Sequence, residues 1–260
     1  MNKKNIENIY PLSPTQQGIL FHTLHAPESG VYVVQSCYTF SQTLDITAFQ
    51  QAWQQVINLH PILRTSFHWQ QYKEPFQIVH KSVTLPWQYY DWQNSQQIEQ
   101  QLADFLQADC KQGFDLSQPS LLRLTLIQIA KNTYHFVWSS HHLILDGWST
   151  ALVLQQVSLA YAGQSDRSLA TRPYADYINW LQQQDLSQAE TFWRKTLKGF
   201  TAPTPLKLKK AANYSNYSLK LSQATTTALQ SIARQHKLTL NTLLQGAWAI
   251  LLARYSGEED

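Results

Sequence analysis

The sequence has little charge, little cysteine and no long apolar run. Charged residues make up 14% of the 260 residues, and the two cysteines, Cys37 and Cys110, suggest no disulfide framework. No apolar stretch approaches the ~20 residues of a membrane-spanning helix, and the start of the chain leads into no apolar signal region. We therefore expect a soluble, cytoplasmic protein that is not embedded in a membrane.

Motifs of several other functional classes are also missing. The sequence contains no glycine-rich phosphate loop and no dinucleotide fingerprint, so neither ATP nor NAD is implied. It has no GxSxG elbow, so the chemistry does not require a covalent acyl-enzyme intermediate. No helix-turn-helix, zinc-finger or RNA-binding signature is present, and nucleic acid is not an expected partner.

What the sequence does contain is enough apolar material for one large domain or two smaller ones. Hydrophobic residues make up 43% of the chain, including 9 Trp, 13 Tyr and 10 Phe. Helical and strand patterns alternate, which predicts an α/β fold. Ser13 and Gln16 form a capping box with Pro14 at the first helical position, and a second capping box is predicted from Ser187 and Glu190. Apolar alternation predicts strands at 31–40, 63–69, 76–80, 85–90, 121–129 and 134–138, and helical spacing predicts helices at 46–57, 98–106, 148–161 and 239–255. The segment 201–215 is predicted to be a linker or loop.

The most informative motif is the tract Ser139–Ser149, in which His141 and His142 are followed by Asp146 and Gly147. It lies between a predicted strand and a predicted helix, where an imidazole can be held at the edge of a cleft. Imidazole titrates near pH ~6.5 and can accept or share a proton at neutral pH. Neighbouring residues leaving a strand point to opposite sides, so a given cavity should receive one of the two histidines. We expect the carboxylate of Asp146 to fix the loop or the ring, and Gly147 to permit the turn.

The histidine pair has two other interpretations. An isolated pair is often purely structural, but the longer HHxxxDG pattern between a strand and a helix favours a functional site. Histidine and aspartate at this spacing could also bind zinc. No third ligand cluster stands nearby in the sequence, so no metal is expected.

The tract resembles the HHxxxDG signature of condensation domains in nonribosomal peptide synthetases. The acyltransferase superfamily that includes chloramphenicol acetyltransferase shares a shorter form. Other segments resemble further condensation motifs and occur in the family's order along the chain. They are residues 10–22 (YPLSPTQQGILFH) and 60–67 (HPILRTSF) before the signature, and 174–180 (YADYINW) with the aromatic pair 192–193 (FW) after it.

The resemblance implies a chloramphenicol acetyltransferase-like α+β sandwich. Residues 1–175 would form the N-terminal lobe that carries HHxxxDG. Residues 176–260 would form linker helices and the beginning of a second lobe of the same type. The family continues with motifs that do not appear before Asp260. We therefore expect a partial domain, and whether it acts alone is left open.

The resemblance also implies the reaction. An upstream acyl or peptidyl thioester would meet the amine of a downstream aminoacyl thioester, and an amide bond would form. His142 is the expected catalytic residue, either as a base or by positioning the amine. Structural or supporting roles are implied for His141, Gly147, Ser149 and Trp193, and Arg64 is expected to pair with Asp146.

Partners and cofactors follow from the same resemblance. The sequence contains no carrier-protein serine motif, so we expect no cofactor bound by this chain. Phosphopantetheine would be attached to peptidyl carrier proteins that bring the thioesters. The missing lobe or adjoining synthetase modules are further expected partners. Residues 191–257 hold ten Lys or Arg and no acidic residue, which is either a solvated basic face or a docking surface for an acidic carrier.

Alternatives within and beyond the family remain. Leu59 and Pro61 replace the usual Arg and Glu of the motif that residues 60–67 resemble, and Thr150 replaces the tryptophan expected of an epimerisation domain. A heterocyclisation domain is disfavoured because its signature carries paired aspartates. A coenzyme A-dependent acetyltransferase of the chloramphenicol type is another candidate, although its signature lies near the C-terminus whereas 113 residues follow Gly147. A further alternative is that the chain is a non-catalytic or incomplete half that needs a partner lobe.

Overall fold

The chain divides into two compact units, residues 1–184 and 185–260. The computed structural model describes residues 3–27, 30–70, 72–164, 172–204 and 218–258. The boundary between the two compact units thus falls after residue 184. The assignment of 1–175 and 176–260 to two lobes of the family stays a prediction.

The described strands of the first unit form two sheets. Strands β1 (Ile6–Pro11), β4 (Phe76–His80) and β3 (Thr65–His68) form an antiparallel sheet in the order β1-β4-β3. The second sheet contains β2 (Val33–Phe40), β5 (Trp87–Asp91), β6 (Leu122–Ala130) and β7 (Thr133–His141). Its order is β2-β7-β6-β5. In this sheet β5 and β6 are parallel, whereas β7 is antiparallel to both of its neighbours, β2 and β6.

Five α-helices lie in the described part of the first unit. They are α1 (Pro14–His25), α2 (Ile46–Leu59), α3 (Ile98–Gln112), α4 (Gly147–Tyr161) and α5 (Tyr174–Gln182). A short 3-10 helix, Pro61–Arg64, connects α2 to β3. Within the described residues, no helix is long and apolar enough to cross a membrane.

The main core lies between one face of the four-stranded sheet and the pair α2 and α4. On β7 and β6 the register pairs Phe136 with Leu126 and Trp138 with Leu124, so these side chains share a face. Trp53 of α2 packs against both aromatic rings, at centroid distances of 5.7 Å and 5.0 Å. This apolar face fixes the strand that ends at the histidine pair.

The opposite face of the same sheet carries a buried polar network with α3. Asp109 is 8% exposed and pairs with Arg123 of β6, Nε to Oδ1, at 2.7 Å. Ser139 donates to the same carboxylate, as does Gln35 of β2 at 2.7 Å. Two charges and two neutral side chains thus tie α3 to three strands.

The second unit is helical in its described part. It contains α6 (Leu186–Thr196), α7 (Gln223–Gln235) and α8 (Leu240–Ser256), and α7 contacts α8. Thr239 caps α8, which ends at Gly257 with φ of 76°.

Most predicted elements are confirmed, with shifts at their ends. Strand 76–80 and the capping box of Ser13 and Gln16 are observed as predicted. The capping box of Ser187 and Glu190 is wrong: α6 starts earlier, Asp185 accepts from the Ser187 backbone N–H, and Glu190 instead pairs with Arg194. The predicted strand 63–69 begins two residues later because Pro61 starts a 3-10 turn. Most of the predicted linker 201–215 lies outside the described residues.

Candidate active site

The signature tract forms a tight turn between β7 and α4. His141 is the last residue of β7, and the His142 backbone N–H donates to the carbonyl of Tyr32 at 2.9 Å. The Ile144 N–H then donates to the His141 carbonyl at 3.1 Å, which closes the turn. The strand therefore ends in a hydrogen-bonded turn that fixes both imidazoles.

His142 has a defined tautomer. Its Nδ1 lies 2.9 Å from the backbone carbonyl oxygen of Leu145. A carbonyl can only accept, so in the neutral ring Nδ1 carries the proton and Nε2 carries the lone pair. This is the arrangement that a proton acceptor requires, with one ring nitrogen held by the protein and the other available to a substrate.

His142 lines an open cavity of about 560 Å³. The walls come from the start of α1, the 3-10 helix, the turn itself, the start of α4 and α5, and they include Ser13, Ile62, Trp148 and Tyr177. Trp148 is 86% exposed. The half-buried imidazole of His142 thus lies in the wall of a cleft with aromatic and polar sides.

His141 points to the other side, as the strand alternation predicts. It is 2% exposed and lines a different cavity, of about 340 Å³, on the side of the sheet where α3 lies. Its Nδ1 accepts from the Leu143 N–H at 3.2 Å, so Nε2 carries the proton and faces Thr23 Oγ1 at 3.4 Å. Burial, followed by the neighbouring His142, lowers the pKa of His141 to about 4. His141 is therefore a neutral, fully hydrogen-bonded structural residue at pH 7.

Asp146 acts as the N-cap of α4. Its carboxylate accepts from the Ser149 backbone N–H at 2.8 Å and from the Ser149 hydroxyl at 2.5 Å, while the Asp146 N–H donates to that hydroxyl at 2.9 Å. The Ser149 hydrogen bonds, the side-chain one foremost, lower the pKa of Asp146. Asp146 and Ser149 therefore support the site by starting α4, and the spacing Asp-x-x-Ser was a capping signal in the sequence.

The expected Arg64–Asp146 pair is wrong. Arg64 is 4% exposed, and its Nη1 lies 2.7 Å from the Glu7 carboxylate of β1. The guanidinium also donates to backbone carbonyls at the end of α2, including that of Ile57 at 3.2 Å, and to those of the last residue of β4 and the residue after it. These acceptors surround the guanidinium, whereas Asp146 is exposed and satisfied within α4. Arg64 remains structural, but it joins α2 to the three-stranded sheet.

The expectation that Gly147 is needed for the turn is also corrected. Gly147 is the first residue of α4 and is not among the described residues with positive φ. A Cβ built on it would meet no atom within 4 Å. The backbone therefore gives no reason for glycine at this position.

Gln16 is a site residue whose role the sequence interpretation missed. The sequence predicts its side chain as part of the capping box of α1. The same amide also donates to the carbonyl of Leu143, the residue after His142, at 3.1 Å. Tyr174 of α5 also reaches the start of α1, where its hydroxyl donates to Ser13 Oγ at 3.1 Å. Residues 10–22 and 174–180, which resemble two of the condensation motifs, thus meet beside the signature turn.

The remaining candidate, Trp193, lies in α6 of the second unit. Its ring is 56% exposed and contacts Phe192 edge-on at 5.2 Å. Its supporting role stays a prediction. In the described part of the chain, no three His, Cys, Asp or Glu side chains are grouped in a way that could hold a metal ion.

Comparison with known proteins shows which family the chain resembles. A family model described as "Condensation domain" matches residues 6–260. The chain is 44% identical over 268 residues to one of the linear gramicidin synthase proteins of Brevibacillus parabrevis, a match that covers 98% of this chain and 5% of that protein. It is 33% identical over 267 residues to bacitracin synthase 1 of Bacillus licheniformis, again covering 98% of this chain and 5% of that protein.

Solved structures confirm the expected fold. The starter condensation domain of rhizomide synthetase superposes with a TM-score of 0.75 at 21% identity, covering 98% of this chain and 60% of that one. The condensation domain of monacolin K polyketide synthase gives a TM-score of 0.80 at 18% identity, covering 98% and 61%. The chain thus spans a small part of the synthetases and less than two thirds of these solved domains. Since the family model extends across both units and includes the turn that carries His142, the chain belongs to the condensation-domain family.

Proposed function

We propose that this chain supplies His142 to a condensation reaction that forms an amide bond between two carrier-bound thioesters. The amine of the downstream aminoacyl thioester attacks the carbonyl carbon of the upstream acyl or peptidyl thioester. The carbon–sulfur bond breaks, the upstream thiol leaves, and the acyl chain remains on the downstream carrier as an amide. The observation that carries this proposal is the hydrogen bond that holds Nδ1 of His142 against the Leu145 carbonyl, in a residue that lines an open cleft.

His142 contributes by accepting or orienting the proton of the attacking amine. The hydrogen bond from Nδ1 to Leu145 keeps the ring from rotating and also stabilises the positive charge that would develop on protonation. A positioned acid–base group contributes about 10²–10⁴-fold to a rate. Holding the two tethered reactants together supplies the remaining acceleration.

The partners in this proposal are peptidyl carrier proteins in the cytoplasm, each with a phosphopantetheine arm. No cofactor is assigned to this chain. Ten Lys or Arg residues without an acidic residue in 191–257 suit an acidic carrier surface and would accelerate its encounter through long-range attraction.

Mixing the full chain with two loaded carrier proteins tests the proposal. One carrier bears an acyl or aminoacyl thioester and the other an aminoacyl thioester, and mass spectrometry of the downstream carrier detects the dipeptidyl product. We expect product with the wild type, and about 10²–10⁴-fold less with His142→Ala.

His135→Ala is the matched control. His135 lies on the same strand and bonds to Thr39 at 3.1 Å, away from the signature turn. Its replacement should leave product formation unchanged. Equal product from the wild type and His142→Ala, or no product from the wild type, would contradict the proposal.

A further inference from the structure

Two buried glutamine amides form a reciprocal pair beneath the signature turn. Gln16 of α1 is 4% exposed and Gln77 of β4 is 0% exposed. Gln77 Nε2 donates to Gln16 Oε1 at 2.9 Å, and Gln16 Nε2 donates to Gln77 Oε1 at 3.3 Å. A buried amide is costly unless its groups are hydrogen-bonded, so the pair is stable only if every donor is used.

Every donor of the pair has an acceptor. The second N–H of Gln16 donates to the Leu143 carbonyl at 3.1 Å, and the second N–H of Gln77 donates to the Pro11 carbonyl at 3.0 Å. Gln16 Oε1 also accepts from the Ser13 N–H at 3.0 Å. Flipping the Gln16 amide would set its NH2 group against the Ser13 N–H, which is also a donor. It would set its oxygen against the Leu143 carbonyl, which is also an acceptor. The surroundings therefore fix its orientation.

This pair, which we call the glutamine clasp (Gln16 and Gln77), connects both sheets of the first unit. Pro11 ends β1 and Gln77 lies in β4, both in the three-stranded sheet. Leu143 follows β7 of the four-stranded sheet by two residues and is next to His142. The clasp is thus a polar bridge from one sheet to the turn at the end of the other.

We propose that Gln16, supported by Gln77, is a positioning residue that fixes the signature turn and thereby holds the His142 ring in its reactive tautomer. The turn is short, and the His142 ring is oriented by Leu145 while Gln16 holds Leu143. If the Leu143 carbonyl loses its partner, the turn can rotate and the Leu145 carbonyl leaves Nδ1. The clasp's use in catalysis rests on the proposed function, whereas its effect on the ring can be measured without substrate.

Ring-nitrogen NMR of the full chain tests this directly. Long-range ¹H–¹⁵N spectra distinguish a protonated ring nitrogen from one with a lone pair, and the His142 signals are assigned by their loss in His142→Ala. In the wild type we expect a single neutral tautomer with the proton on Nδ1. In Gln16→Met, which keeps the length and removes the amide, we expect a mixture of both tautomers.

Gln54→Met is the matched control. The side-chain amide of Gln54 in α2 is also hydrogen-bonded at both ends. Its NH2 group donates to the Val83 carbonyl and to Asn58 Oδ1, and its oxygen accepts from the Leu85 N–H. It makes no hydrogen bond to the signature turn. Its replacement should cost comparable thermal stability and leave the His142 tautomer unchanged. Gln77→Met leaves Gln16 bonded to Leu143 and should give an intermediate mixture, which keeps the test valid if Gln16→Met does not fold.

Unchanged His142 signals in both Gln16→Met and Gln77→Met would overturn the proposal. So would an equal change in Gln54→Met, because the effect would then be general loosening. Where the condensation assay gives product, Gln16→Met should lower kcat about 10²-fold with little change in KM, since displacement of a reactive group by about 1 Å has that cost. If the wild type gave no condensation product but Gln16→Met still changed the His142 tautomer, the proposed function would be contradicted. The role proposed for the glutamine clasp would still stand.

Discussion

The two adjacent histidines of the signature differ in which ring nitrogen carries the proton. His142 donates from Nδ1 to Leu145, whereas His141 accepts at Nδ1 from Leu143. The strand alternation sends one ring to each side of the sheet. Local contacts then make one ring a proton acceptor towards a cleft and the other a buried structural residue.

The buried state of His141 predicts a loss of stability in acid. Its pKa is about 4 in the folded chain, below the ordinary 6.5 that applies when the chain is unfolded. The unfolded chain therefore binds a proton first as the pH falls. Stability is lost from about pH 6.5 down to about pH 4, by an amount on the order of 3 kcal/mol for this residue.

Urea titrations at several pH values measure this contribution. His141→Gln should lower the free energy of unfolding at pH 7 but lose less of it between pH 6.5 and 4 than the wild type does. Thr23→Val removes the partner of Nε2 and keeps the imidazole, so its pH profile should keep the wild-type slope. Parallel profiles for the wild type and His141→Gln would show that His141 does not cause the acid loss.

At the same scale, sequence interpretation found the reactive histidine but not the contacts that hold it. His142 was predicted because the pattern HHxxxDG is local and specific. The partner of Arg64 was taken from the family resemblance and was wrong, and the sequence offered no correction because Glu7 lies 57 residues away and no spacing marks the pair. The bond from Gln16 to Leu143 spans 127 residues and was invisible for the same reason.

At the scale of elements, α3 is anchored on its sheet by charge as well as by apolar contact. Burial raises the pKa of Asp109, but hydrogen bonds from Arg123 and Ser139 outweigh it and the net pKa is lowered. Arg123 also stacks over Phe114 at 4.2 Å, and Phe114 contacts the His141 ring edge-on at 6.3 Å. The end of α3 is thereby joined to the back of the signature turn.

Removing one partner of this ion pair should cost far more than removing both. Arg123→Met leaves a buried carboxylate without its cation, and we expect a loss of about 3–5 kcal/mol in the free energy of unfolding. The double variant Arg123→Met/Asp109→Leu should recover most of that loss. Urea denaturation of both variants and of Asp109→Leu completes the cycle. A double variant no more stable than Arg123→Met would mean that the charge pair is not the source of the effect.

Elements were predicted well where their limits are set locally. Strand 76–80 and the start of α1 depend on alternation and on a capping box, which neighbouring residues determine. Helix α3 was predicted to end near residue 106 and extends to Gln112. Its last turn is held by Arg123, a contact from another element, and no helical periodicity could indicate that.

At the scale of the molecule, burial is concentrated in the first unit. The main core cluster and its smaller companion draw their buried apolar residues from positions 10–178. Among the described residues of the second unit, Ala233 is the single buried apolar residue. Burial of apolar area is the main favourable term in folding, so the first unit has its own source of stability.

A chain of residues 1–184 should therefore fold cooperatively without the rest. We expect a single thermal transition by circular dichroism, with the His142 ring in the same Nδ1-protonated tautomer as in the full chain. Residues 185–260 alone should show no cooperative transition, because the described residues of this unit bury too little apolar area to offset the conformational entropy of an ordered chain. If 1–184 were unfolded while the full chain was folded, the stability of the first unit would depend on the second, and the core that surrounds the signature strand would not suffice to hold the site.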